Sequence, residues 1–231
     1  MPSPSRLLLF VALVVMLLAA PLSPFAEEAA GPTTWYAQTL TRGDAGLNVT
    51  HFWSKGSKLR AETVVAGHKI VTIVSGSTYY AYDGLSGEGI AIRRDASSIA
   101  LDRADRRPFG NEYERLLALG AELVREEELM GRATGVFRLT GDFGKRELWA
   151  TLDDHHLPLR MEIYKRASTQ RTTTDYLNWQ SGLAIDDNFF EPDARAVLES
   201  MDYATYATRT ATEGPVGPVP VLYNTLLSIK H

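Results

Sequence analysis

The chain reads as mainly β with a minor helical part (α+β): an antiparallel meander of about eleven strands, one amphipathic helix, and an apolar cavity between them. Three observations predict this. Short segments rich in β-branched and aromatic residues recur with turn signals about every 8–12 residues. The gaps between them leave no room for the crossover helices that parallel pairing requires. And a single helix-period segment is too little to fill the apolar face of so long a sheet.

The N-terminus predicts export. Arg6 precedes an unbroken run of fourteen apolar residues, Leu7 to Ala20, and acidic and small residues follow at Ala26-Glu27-Glu28. This is the layout of a secretory signal, and the run is short for a membrane span, which needs roughly 20 residues. Cleavage is expected near Ala26, giving segments 1–26 as signal, 27–192 as the main domain and 193–231 as a C-terminal extension packing on it. The mature protein is expected to be a periplasmic monomer. The chain has no cysteine, which excludes disulfides, thiolate metal sites, cysteine nucleophiles and a lipid-anchored N-terminal cysteine. Its formal charge of −4, with the charges scattered, gives nothing for nucleic acid to bind.

Strands are expected over residues 33–41, 47–53, 59–65, 68–74, 78–82 and 89–93, separated by turns such as Arg42-Gly43-Asp44, Ser75-Gly76-Ser77 and Asp83-Gly84. The stretch 95–107 is polar and alanine-rich, a loop with some helix. Pro108 then opens a helix over 109–119, where Tyr113, Leu116 and Leu117 keep helical spacing before the stop at Gly120. Strands resume over 121–130, 133–140, 146–152, 159–166 and 169–179. A short helix is expected over 193–201, irregular chain over the proline- and glycine-rich 214–220, and a strand or docked segment over 221–229. Alternation puts Leu59, Ala61, Thr63 and Val65 opposite Arg60 and Glu62. It also puts Leu148 and Ala150 opposite Glu147, and Leu159, Met161 and Ile163 opposite Arg160 and Glu162. One face is apolar and one is wet.

No catalytic or metal-binding pattern emerges. His155-His156 beside Asp153-Asp154 are neighbours that point apart in a turn, with no second ligand cluster of matching spacing. Glu126-Glu127-Glu128 and Asp186-Asp187 fit solvated surface better than paired catalytic acids. Ser75-Gly76-Ser77 lacks the Gly-x-Ser-x-Gly elbow, and no helix begins after Gly84 to Gly89 to bind phosphate. No cofactor and no enzyme activity are expected. The strand aromatics Trp35, Trp53, Tyr79, Tyr80, Tyr82, Trp149, Tyr164, Tyr176 and Trp179 fit either ordinary core or a cavity lining.

The stretch Phe52-Trp53-Ser54-Lys55-Gly56-Ser57-Lys58-Leu59-Arg60 resembles the bacterial outer-membrane lipoprotein carrier (LolA/LolB-like) superfamily. So do the glycine-x-x-aromatic-aromatic-x-aromatic run Gly76 to Tyr82, the turn Asp153 to Arg160, Tyr176-Leu177-Asn178-Trp179, and the ending Phe189-Phe190-Glu191-Pro192. The resemblance implies an unclosed half-barrel with a helical lid, Tyr113, Leu116 and Leu117 facing the cavity. It implies binding and transport of a lipid or acylated lipoprotein, with Trp53, Leu59, Ile70, Tyr80, Leu148, Met161 and Ile163 as the lipid-binding residues. A membrane protein of the inner or outer membrane would be a further partner. The alternative function is a periplasmic sensor or protein-interaction module of the same fold. Only residues 26–32 precede the first strand where such carriers have a helix, Lys55-Gly56 replaces their latching arginine, and the tail after Pro192 has no counterpart there. The resemblance is therefore to a divergent relative.

Overall fold

A computed structural model describes residues 33–229, apart from 45, 104, 167 and 169. The expected signal and its cleavage near Ala26 lie outside the described residues. All eleven expected segments are strands: β1 (Thr34–Gly43), β2 (Gly46–Lys55), β3 (Lys58–Val65), β4 (His68–Ser75), β5 (Thr78–Asp83), β6 (Glu88–Arg93), β7 (Glu122–Leu129), β8 (Arg132–Gly141), β9 (Gly144–Thr151), β10 (Pro158–Lys165) and β11 (Arg171–Ser181). A twelfth, β12 (Val197–Asp202), joins them in one open sheet of order β12-β6-β5-β4-β3-β2-β1-β11-β10-β9-β8-β7. Every pairing is antiparallel except β12 with β6. The sheet is an unclosed half-barrel, with β7 and β12 as its edges.

The alternation of side chains follows the expected faces. On the inner face Leu59 stands opposite Val74, Val74 opposite Tyr79 and Tyr79 opposite Ile92, and all four are buried. At the other end Met161, Leu148 and Phe137 form a matching row across β10, β9 and β8. The outer face is less wet than its charges suggested. Glu147 and Glu162 are only 5% and 6% exposed. Each lies in a cross-strand ion pair, Glu147 with Arg138 at 2.6 Å and Glu162 with Arg171 at 3.3 Å, because a carboxylate shielded by long neighbouring side chains must be paired.

Among the described residues three α-helices accompany the sheet: α1 (Ala96–Ile99), α2 (Glu112–Ala118) and α3 (Tyr203–Glu213). The expected helix over 109–119 is shortened at its start. Gly110 takes φ +67°, in the left-handed region that interrupts a right-handed helix, and the chain from Pro108 to Asn111 is a strap instead. The expected helix over 193–201 is a correction. Val197 to Asp202 pairs with β6, whose edge would otherwise carry unpaired backbone groups. A helix follows instead at α3, where Asp202 caps it by accepting from Thr205 N at 2.8 Å and Gly214 ends it at φ +90°. The segment 214–220 is irregular as expected but not peripheral: Val216, Val219 and then Leu227 are buried, the last two in the main inner-face core.

Candidate functional site: an apolar cavity with an arginine rim

A cavity of about 520 Å³ opens on the inner face between the sheet, residues 101–103 and 106–107 with the strap that follows them, and the last described segment, 223–229. Its apolar lining comes from β2 and β3 (Phe52, Leu59), the strap (Phe109), β11 (Tyr176) and the tail (Tyr223, Leu226). The strap is held by aromatic stacking. Phe109 lies face to face with Phe52 at 5.1 Å and with Trp179 at 5.6 Å, and Trp179 stacks in turn on Tyr176 at 5.9 Å. Gly110 permits this approach, because a Cβ there would lie 2.5 Å from the Trp179 ring.

Polar groups converge on the same space. Arg94, Arg103, Arg106, Arg107 and Arg115 all line it. Arg94 is tied to Asp102, Arg103 to Asp105 at 2.8 Å, and Arg106 approaches Glu114 at 3.9 Å. Arg107 is 9% exposed and lies over the rings of Trp35 and Trp179, 5.2 Å from each. Burial lowers its pKa from the ordinary value. Glu112, the first residue of α2, accepts a 2.7 Å hydrogen bond from the Tyr176 hydroxyl. Burial raises the pKa of both the Glu112 carboxyl and the Tyr176 phenol.

The residues expected to bind lipid are dispersed. Leu59 lines the cavity, and Ile70 packs in the same core cluster. Leu148, Met161 and Ile163 share the inner face but pack at its far end, with Leu116 and Tyr113 upon them. Trp53 and Tyr80 stand on the outer face, a correction. The register places them in one row with Arg60 and Ile73, under Phe189 and Phe190. Of the lid residues, Leu116 is buried against the sheet, Tyr113 stacks on His156 at 4.1 Å, and Leu117 is exposed. The helix therefore turns Glu112 and Arg115, not its apolar residues, toward the cavity. The arginine-rich 103–107 stretch was the missed signal: three arginines before a Pro-Phe-Gly strap read as loop polarity rather than a rim. His155 and His156 occupy the β9–β10 turn, where Asp153 accepts from Thr151 Oγ1 and His155 N, and no metal-ligand cluster occurs among the described residues.

No family model and no curated protein matches the chain. Among solved structures, a conserved protein of Thermus thermophilus is similar at a TM-score of 0.54 and 12% identity, over 74% of this chain and 91% of that one. This is a likeness of fold. The MucA/MucB complex of Pseudomonas aeruginosa matches at a TM-score of 0.46 and 15% identity, over 73% of this chain and 59% of that one. An outer membrane lipoprotein-sorting protein domain from Vibrio parahaemolyticus matches at 0.32 and 11% identity, over 70% and 89%.

Proposed function

We propose that the protein is an exported, noncatalytic binder that holds the acyl chain of a lipid or lipidated protein in the inner-face cavity and hands it on to a partner. The observation that carries this reading is the cavity itself, lined by Phe52 and Leu59 of the sheet, Phe109 of the strap, and Tyr223 and Leu226 of the tail. Apolar clefts with a few convergent polar groups are the usual form of small-molecule sites. Burying each methylene contributes roughly 0.8 kcal/mol, so a chain of about a dozen carbons brings on the order of 10 kcal/mol before the costs of association. The sequence resemblance to lipoprotein carriers and the signal-like N-terminus support the same reading.

Native mass spectrometry of protein taken from a bacterial periplasm tests it. The expected result is a co-purified acyl lipid and a chain starting near Glu27. Leu226→Asp, at the partly exposed mouth, should abolish binding of a fluorescent acyl probe while leaving the circular dichroism spectrum intact. An empty cavity that takes no acyl probe, in a protein that captures a membrane regulator, would replace this reading with a protein-interaction module.

A further inference from the structure

Arg107 is a buried cation with no counter-ion among the described residues. Its Nη2 donates to Gly110 O at 2.9 Å, but its Nε is shielded from solvent and has no hydrogen-bond partner. Among the described residues it enters no ion pair, whereas Arg94, Arg103 and Arg106 each have a carboxylate. A guanidinium stripped of water with an N–H unused is costly, and an anion entering the cavity would offset that cost.

Glu112 bears the complementary feature. Its Oε1 is occupied by the Tyr176 hydroxyl, while Oε2 is shielded and unpartnered, on a wall of the same cavity. Burial favours the neutral acid here, and a neutral carboxyl has an O–H to donate. Arg115 adds a second guanidinium at the rim that enters no ion pair among the described residues. The cavity thus offers unused donors among its polar lining and hydrocarbon on the rest of its wall.

We propose that the ligand is an anion-headed acyl chain, whose carboxylate or phosphate oxygens accept from Arg107 Nε and from Glu112 while the chain lies along Phe52, Leu59, Phe109 and Leu226. This rests on the acyl-binding reading and adds the charge of the head group. The arrangement selects against a neutral glyceride, which leaves the Arg107 charge unpaired when the cavity closes over it.

The test compares three ligands of one chain length on the delipidated full-length protein, by displacement of an uncharged fluorescent acylglycerol. They are oleate, oleoyl lysophosphatidate and monooleoylglycerol. Charge-assisted hydrogen bonds predict that at least one of the anions binds roughly ten- to hundredfold more tightly than the neutral glyceride. Which anion leads tells whether carboxylate or phosphate is the head group. Arg107→Gln should bring the preferred anion down to the glyceride level and leave the glyceride within about threefold of its wild-type affinity. Equal binding of all three by the wild-type protein overturns the proposal and leaves the acyl reading standing. Failure of all three to bind overturns the acyl reading. Should Arg107→Gln not fold, the wild-type comparison decides alone.

Discussion

Arg94 grips Asp102 with two hydrogen bonds, Nη1 to Oδ2 at 2.7 Å and Nη2 to Oδ1 at 2.9 Å, from a side chain only 1% exposed. The same guanidinium donates to Leu226 O at 2.6 Å and Gly76 O at 2.7 Å. It therefore joins three pieces of chain: the stretch leading to the strap, the β4–β5 turn and the tail that lines the cavity. Arg94→Met would leave Asp102 and two backbone carbonyls without their donor. A loss of about 3–5 kcal/mol is expected, the usual cost of breaking a buried ion pair. Arg94→Lys should recover little of it, because one ammonium cannot span a forked set of acceptors. Urea denaturation followed by tryptophan fluorescence measures this, and a loss under about 1 kcal/mol would mean that the grip is ornamental.

The pattern of strands was legible because its signal is local. Gly76, Gly67 and Gly131 sit at positive φ in tight turns between strands, and alternation placed Leu59, Leu148 and Met161 on the correct face. The tail was not legible for a physical reason. Residues 197–202 pair in parallel with β6, a contact between positions more than a hundred apart that no local period encodes. Trp53 and Tyr80 failed as cavity residues because the outer face also has an apolar patch, covered by Phe189 and Phe190. An aromatic on a strand does not say which face is covered by what. Arg107 was missed because burial is what sets it apart, and a loop arginine gives no sign of that in sequence.

That outer patch has its own stability. Phe190 is fully buried against Val71, Ile73 and Tyr82, and it fastens the 183–198 segment across the back of the sheet. Phe190→Ala should cost about 3–5 kcal/mol, as large aromatic truncations in a core do. Acyl binding by the folded fraction should remain unchanged, since the cavity is on the other face. A thermal melt and probe titration on the same sample separate the two effects. Loss of affinity without loss of stability would show the faces to be coupled.

Met161 decides whether the far end of the inner face is cavity or core. It is 8% exposed and packs with Leu116, Leu148 and Phe137 under α2. Met161→Glu would place an unpaired carboxylate among these side chains, a cost of several kcal/mol and comparable to a domain's whole stability of about 5–15 kcal/mol. Little soluble protein is expected. A stable, soluble Met161→Glu variant would mean that water reaches this end and that the binding space runs the full length of the sheet.

Glu112 gives a pH signature with a definite sign. Its native pKa is raised from the ordinary 4.5, chiefly by burial, with the Tyr176 hydrogen bond and the nearby Arg115 and Arg107 charges acting against the rise. Above pH 4.5 the unfolded chain ionises this carboxyl freely, while the native state still holds the proton. The native state then binds more protons than the unfolded state, so this group lowers stability as pH rises from 4.5 through the native pKa, and contributes a constant penalty beyond it. Glu112→Gln keeps an acceptor for Tyr176 but cannot ionise. The stability of the variant minus that of the wild type should therefore increase with pH over this window and then level off. Tyr176 does not confuse the result, because burial holds its phenol well above 10, and carboxylates held low by ion pairs act equally in both proteins and cancel in the difference. Urea midpoints at intervals from about pH 4 to pH 8 measure it. A difference that stays flat would place the Glu112 carboxyl in contact with water and would remove its O–H from the donors available to a ligand.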